Sequence, residues 1–207
     1  KACKDTITKV VDVNPNPDAK FSVSNVCQSD SAAFVNSSTL SAGTMNHTWS
    51  FGDSTSSMAT SPKHLYKFDG YYQVKLAVNS GDGCKDSITK TVQIFELPTV
   101  DFSANNVCDD ETMSFTNNTS GANSYMWMFG DGNSSTMEDP DHVYAAAGTY
   151  SVKLIATSAT GCRDSVSKTV TVYALPQPSF TASTECFTDA TKFTNTSARA
   201  TSYFWSF

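Results

Sequence analysis

The chain has 207 residues, a net charge of −6 and few charged side chains for its length, with Ser, Thr and Asn abundant. That balance excludes a nucleic-acid binder, whose target needs a basic surface, and no apolar run approaches the length of a membrane span. Polar β-formers with so few charges suit a β-rich extracellular surface and fit poorly with long helices.

The chain repeats itself. Trp49, Trp127 and Trp205 stand 78 residues apart, as do Cys84 and Cys162, whereas Cys3 to Cys84 and Cys27 to Cys108 each span 81. The three extra residues fall between Cys27 and Trp49, in the stretch 37–47, and an insertion there marks a surface loop. A unit of this length can hold its own core. The expected organisation is the last strand of a preceding repeat (1–13), a full repeat (14–97), a second full repeat (98–175) and the first half of a third (176–207). Because it starts and stops inside a repeat, the chain reads as a segment of a longer protein.

In chain order, Cys3 to Val11 parallels the stretches after Cys84 and Cys162. In the middle copy Ile88, Val92 and Ile94 alternate with Ser87, Thr89, Thr91 and Gln93, which predicts a half-buried strand whose apolar face Lys90 interrupts. Asn14-Pro15-Asn16-Pro17, Leu97-Pro98 and Leu175-Pro176-Gln177-Pro178 are short stiff joints, so the expected shape is a semi-rigid rod of beads. Each repeat opens with a short strand at Phe21, Phe102 or Phe180, passes through a Cys-bearing loop, and continues in a second strand at Phe34, Phe115 or Phe193. The tryptophan strand follows, with Trp127 and Phe129 two apart and so on one face, until Gly130-Asp131-Gly132 turns the chain. A polar stretch leads to Tyr144. Gly148 then precedes the longest strand, where Tyr150, Val152 and Leu154 alternate with polar residues. A hairpin through Thr160-Gly161 returns the chain as the last strand.

About seven short strands in roughly 80 residues point to an all-β fold of tandem antiparallel β-sandwiches. Trp49, Phe51 and Tyr72 in one repeat, Trp127, Phe129 and Tyr150 in the next, and Trp205 in the third are the expected core. The pair Gly148 and Tyr150 sits where such sandwiches place a tyrosine corner.

Trp127-Met128-Phe129-Gly130-Asp131-Gly132, then Pro140-Asp141-His142-Val143-Tyr144, then Gly148-Thr149-Tyr150-Ser151-Val152-Lys153-Leu154 resembles the PKD domain, which implies tandem immunoglobulin-like antiparallel β-sandwiches. The resemblance covers essentially the whole chain, and the first copy departs from it at Ser54, where a different turn geometry is expected. The cysteine-bearing form resembles repeats of very large secreted surface proteins and adhesins of gliding and predatory bacteria. It implies spacing, adhesion or protein contact rather than catalysis.

The six cysteines fall into an early class (Cys27, Cys108, Cys186) and a late class (Cys3, Cys84, Cys162), and none stands at C-x-x-C spacing. Their regularity implies disulfides and an oxidising compartment rather than a metal site. Three pairings stay open. Within-repeat bonds Cys27–Cys84 and Cys108–Cys162 are favoured, although a sandwich trace puts the two classes at opposite ends. Sequential bonds across the joints and bonds to a neighbouring domain are the others.

His64 and His142 recur in register, and a residue that recurs in every repeat is more often structural than catalytic. With no unique Ser/His/Asp set and no metal-spaced His pair, no catalytic residue is assigned and the chain is not read as an enzyme. Asp131 with Asp139 and Asp141, or Asp109-Asp110-Glu111, offers hard oxygen ligands to calcium, but matches no EF-hand spacing, and such carboxylates more often cap turns. No other cofactor is implied. Phe68, Tyr71 and Tyr203 either complete the core and the joints or stack on a sugar ring or a neighbouring subunit.

The sequence thus reads as a secreted, cell-surface stalk or filament segment. Its expected partners are protein or glycan surfaces, or further copies of itself. A self-assembling multi-chain filament and a substrate-presenting module of a secreted hydrolase are the alternatives.

Overall fold

The structure is a computed structural model and describes residues 3–11 and 13–206. Lys1, Ala2, Asp12 and Phe207 lie outside the described residues, so the readings of 1–13 and of the third tryptophan motif are met only in part. Every named element is a strand, and the chain divides into two compact units, Lys1–Leu97 and Pro98–Phe207.

The first unit contains β1 (Phe21–Ser22), β2 (Val26–Cys27), β3 (Ser31–Ala33), β4 (Val35–Asn36), β5 (Met45–Ser50), β6 (Ser56–Ser57), β7 (Lys63–Leu65), β8 (Gly70–Ser80) and β9 (Lys85–Phe95). One side of the sandwich is built from the pairs β1–β4 and β3–β7, and the other is a five-stranded sheet ordered β2-β9-β8-β5-β6. The second unit repeats the plan with β10 (Phe102–Ala104), β11 (Val107–Cys108), β12 (Thr112–Asn117), β13 (Ser124–Met128), β14 (Ser134–Ser135), β15 (Asp141–Val143), β16 (Gly148–Thr157) and β17 (Arg163–Tyr173). Its sheets are β10-β12-β15 and β11-β17-β16-β13-β14. A further pair, β18 (Phe180–Ala182) with β19 (Phe193–Asn195), belongs to the third copy.

Period-two alternation decides which side chains fill each core. On β8, Val74, Leu76 and Val78 are buried while Gln73 and Lys75 are exposed, and Val152, Leu154 and Ala156 do the same on β16. Trp49 and Trp127 are fully enclosed. Phe21 meets Trp49 edge-on at 5.0 Å and Phe34 meets it at 5.5 Å; Phe102 and Phe115 approach Trp127 at 5.1 and 5.5 Å. Burying each such ring is worth about 1.5–3 kcal/mol.

Four local features differ from the sequence reading. The sandwich is not purely antiparallel, because after β1 the chain crosses to the other sheet and β2 runs parallel to β9, placing Cys27 opposite Phe95. The same crossing pairs Cys108 with Tyr173. Residues 3–11 form no strand, and Ile7, Val10 and Val11 are exposed, since no described ladder partner lies beside them. Tyr72 and Tyr150 pack only partly buried against the cores, whereas Tyr66 and Tyr144, not assigned to the core from sequence, are enclosed. Trp205 is 37% exposed, although Phe180 meets it edge-on at 5.4 Å, because the described residues end at Ser206 and include no counterpart of β8 or β16, the strands that flank Trp49 and Trp127.

Lys90 and Lys168 explain the break in the apolar pattern of the last strand. Lys90 Nζ reaches across to the Phe21 carbonyl at 2.6 Å and lies 5.2 Å from that ring. Lys168 binds the Phe102 carbonyl and lies 5.2 Å from that ring. Each lysine ties β9 or β17, at a stretch that the two-residue β2 or β11 leaves uncovered, to the first strand of the other sheet. An inward-turned charge on an edge also discourages further strand pairing there.

Candidate functional site

Among the described residues, a histidine–aspartate pair recurs in both repeats with catalytic residue types. Asp53 and Asp131 follow a glycine in the turn that ends the tryptophan strand, and His64 and His142 sit in β7 and β15, eleven residues further on in both copies. Gly52 and Gly130 take φ of +85° and +87°, a region that favours glycine, and this turns the carboxylate toward the imidazole. Nε2 to carboxylate distances are 2.7 Å in both repeats. Each imidazole stacks on a phenylalanine, Phe51 or Phe129, with centroids 4.1 Å apart. Its other side meets Tyr66 or Tyr144 edge-on at 4.6 Å.

Those tyrosines close the cluster. Tyr66 donates to the Phe51 carbonyl and Tyr144 to the Phe129 carbonyl, both at 3.0 Å. Burial pushes both phenols up far beyond the usual tyrosine range. Tyr72 and Tyr150 stack behind them, and their hydroxyls donate to backbone carbonyls four residues upstream, Phe68 at 2.9 Å and Ala146 at 2.7 Å, which is tyrosine-corner geometry.

Burial raises the Asp131 carboxyl, but donation from the Asn133 backbone N–H, His142 and the Asn133 amide outweighs it and holds the group below the usual aspartate value. At Asp53 burial is likewise outweighed, by the Thr55 hydroxyl, His64 and the Thr55 backbone N–H. In the first repeat Thr55 Oγ1 lies 2.5 Å from Asp53 and 3.3 Å from His64 Nε2. This is not a catalytic triad, because there the base bonds its acid and its nucleophile through different ring nitrogens. Here both contacts fall on Nε2, and the second repeat has Asn133 in place of Thr55. The pair staples a turn to a strand.

The three calcium candidates do not converge. Asp131 is occupied as described, Asp139 accepts from the Asn117 backbone at 2.7 Å, and Asp141 accepts from Ser114 Oγ at 2.6 Å. In the Asp109-Asp110-Glu111 turn, Glu111 accepts from the Cys108 N–H at 2.9 Å. Among the described residues no group of three His, Cys, Asp or Glu is placed to hold a metal.

Cys84 and Cys108 are free thiols, so neither Cys27–Cys84 nor Cys108–Cys162 forms. The reason is length. Cys84 precedes the first residue of β9 and Cys27 pairs with its last, and eleven residues of strand hold them roughly 33 Å apart. A disulfide needs Cα atoms within about 7 Å. The eleven residues of β17 separate Cys162 from Cys108 in the same way. Cys27 and Cys162 are disulfide-bonded.

Phe68, Tyr71 and Tyr203 are all exposed, at 61%, 72% and 53%. Phe68 and Tyr71 complete no core, whereas Tyr203 lies in a copy whose described residues end at Ser206, and its counterpart Tyr125 packs against the core of the second repeat. The Asn of each second strand makes a local turn instead: Asn36, Asn117 and Asn195 accept from the N–H two residues on at 2.9, 3.0 and 2.8 Å. The His–Asp link went unread in the sequence, although its equal spacing in two repeats was a usable signal. No helix among the described residues is long and apolar enough to cross a membrane.

Comparison with known proteins identifies the family. The PKD domain family matches residues 12–95 and 96–174. Collagenase ColA of Bacillus cereus is 45% identical over 56 residues, which is 27% of this chain and only 6% of that protein. The PKD1 domain of Vibrio anguillarum Epp is 29% identical, covering 38% of this chain and 96% of that one, with a TM-score of 0.35. The PKD1 domain of the Vibrio cholerae metalloprotease PrtV is 32% identical, covering 37% of this chain and 98% of that one, with a TM-score of 0.34. Two consecutive matches span most of the sequence, and the chain belongs to the PKD domain family.

Proposed function

We propose that the chain is a non-enzymatic structural and adhesive segment of a long extracellular repeat protein, a stalk or filament that holds a surface away from the cell or makes contact itself. The observation that carries this reading is the duplicated His–Asp turn. Among the described residues this arrangement of catalytic residue types occurs twice in the same geometry, walled in by Phe51 and Tyr66 or by Phe129 and Tyr144 and linking turn to strand. Chemistry needs a unique cleft with an open reacting position, and a staple needs neither. Exposed Phe68 and Tyr71 supply flat apolar surface for a protein or glycan partner. A disulfide-bonded cysteine in each repeat suits an oxidising, extracellular location.

The similarity to a stretch of a collagenase favours a second reading, an accessory module that presents substrate to a secreted hydrolase. Negative-stain electron microscopy of the native full-length protein sheared from cells separates the readings. A thin beaded strand is the expected result. A thicker fibre of several wound chains would make the repeats an assembly interface, and a compact particle with a short tail would overturn the stalk in favour of the accessory module.

A further inference from the structure

We infer that Cys84 and Cys108 are covalent docking sites, each taking the opposite class of cysteine from a further copy of this repeat in a head-to-tail disulfide. The argument starts from equivalence. Cys84 of the first repeat and Cys162 of the second occupy the same hairpin: the carbonyl of each accepts from the N–H of Ser80 or Ser158 at 2.8 Å, and the N–H of each donates to that serine's Oγ at 3.1 Å. Cys108 and Cys27 occupy the same loop. The residue after each donates its N–H to the end of the last strand, Gln28 to Phe95 and Asp109 to Tyr173, both at 2.8 Å. The carbonyl of each accepts from the N–H three residues on, at 3.0 Å for Cys27 and 3.1 Å for Cys108.

In these two matched cradles one member is disulfide-bonded, Cys162 and Cys27, and the other carries a half-buried free thiol. The backbone that presents a bonded sulfur therefore presents Cys84 and Cys108 in the same way. A repeat cannot satisfy its own pair, because the length of its last strand separates the two positions. The two cysteines of one repeat, one bonded and one free, thus stand at opposite poles. Joining an early cysteine to a late one brings unlike poles together and propagates in one direction, whereas joining like classes would close a two-fold dimer.

The chemistry balances with a disulfide oxidant such as oxidised glutathione. The Cys84 thiol loses its proton and its sulfur attacks the glutathione disulfide, releasing one glutathione thiolate. The Cys108 thiolate of another copy then attacks the Cys84 sulfur of that mixed disulfide and releases the second. Two protein thiols are oxidised to one disulfide, and one glutathione disulfide is reduced to two thiols. The inference rests on the extracellular reading only for its oxidising surroundings.

The test uses the full chain with Cys3→Ser and Cys186→Ser, leaving Cys27 and Cys162 in place, and adds either Cys84→Ser or Cys108→Ser. Each protein is held in a glutathione redox buffer, alone and as an equal mixture, and is followed on non-reducing gels and by peptide mapping. Unchanged circular dichroism melts establish that both variants fold. The expected result is monomer from either variant alone and, in the mixture, a dimer joined through Cys84 of one chain and Cys108 of the other, released by dithiothreitol. Equal dimerisation of each variant alone would overturn the class-specific pairing. A mixture that stays monomeric, with both thiols still open to alkylation, would overturn the docking site itself. Neither result bears on the particle shape that microscopy would read, so the two readings fail separately.

Discussion

Where the first repeat has Lys20, the second has Asp101, and the surrounding contacts are rearranged to suit. Asp101 takes Lys168 at 2.6 Å, while Lys20 turns away from Lys90 and pairs with Asp18. In the first repeat Asp86, at the start of β9, accepts the Ala19 N–H at 2.8 Å, which holds that carboxyl below its usual range; the corresponding Asp164 accepts only its neighbour's N–H. The aromatic clusters hardly differ. Phe–His, His–Tyr and Tyr–Tyr centroid distances are 4.1, 4.6 and 4.1 Å in one and 4.1, 4.6 and 4.0 Å in the other. Exposed ion pairs contribute little in water, so they interchange between copies. The rings of the cluster and the Gly-Asp that opens each turn, Gly52-Asp53 and Gly130-Asp131, are the same in both repeats.

The largest expected effect tests the part that does not vary. A Cβ on Gly130 would stand 2.6 Å from the Ser151 carbonyl oxygen and 3.0 Å from its nitrogen, at a φ of +87°. On Gly52 it would stand 2.9 Å from the Gln73 carbonyl oxygen. Gly130→Ala should therefore destabilise the second repeat by about 3 kcal/mol, from the clash and the left-handed backbone together, with Gly52→Ala somewhat milder in the first. Calorimetry should show one transition falling while the other holds. If both fell together, the repeats would not be independent folding units.

An intermediate effect comes from the His–Asp staple and acts through pH. Asp53 and Asp131 both have lowered folded pKa values. A carboxylate depressed in the folded state adds stability that is fully present above its unfolded value, about 3.9, and is lost as pH falls through the folded value. Both repeats should hold their stability from neutral pH down to about pH 5 and lose it below about pH 4. Asp131→Asn should lower stability at neutral pH and flatten the acid limb of the second transition alone. An unchanged limb in urea titrations across that range would remove the staple from the account.

Much of this was legible in the residues for physical reasons. Alternation with period two exposes a strand's buried face, so Trp127, Phe129, Val152 and Leu154 announced the core and with it the fold. Tyr66 and Tyr144 are hard to read because the alternation that buries them spans only five residues, starts on a proline and carries a polar histidine on its inward face. The rings pack on His64 and Tyr72 or His142 and Tyr150, and their hydroxyls bond the Phe51 and Phe129 carbonyls. The parallel β2 and β11 are two residues long, too short to carry a pattern, yet their crossing fixes where Cys27 and Cys108 stand. Lys90 was seen as a fault in an apolar face, and its role required the Phe21 carbonyl across the sandwich. Local pattern encodes local burial. Contacts between sheets are not written in any one stretch.

The smallest effect sharpens the comparison at a single position. Ser54 departs from the glycine of the second repeat, and a different turn was the natural expectation. The backbone instead keeps its form, with φ of +71° at Ser54 and +95° at Gly132. A residue with a side chain pays about 1–2 kcal/mol in that region, and glycine loses part of the gain through its greater freedom when unfolded. A Cβ at position 132 would meet nothing within 4 Å, so the difference is one of backbone strain rather than crowding. Ser54→Gly should therefore stabilise the first repeat by about 0.5–1 kcal/mol, raising its midpoint by roughly 2–8 °C, and Gly132→Ser should lower the second by a similar amount. Calorimetry of the two single variants and the double variant checks this, since the two shifts should be opposite in sign and additive. A midpoint that falls in Ser54→Gly would mean that the serine side chain contributes more to its turn than its backbone strain removes, and the two turns would then differ in energetics while sharing a shape.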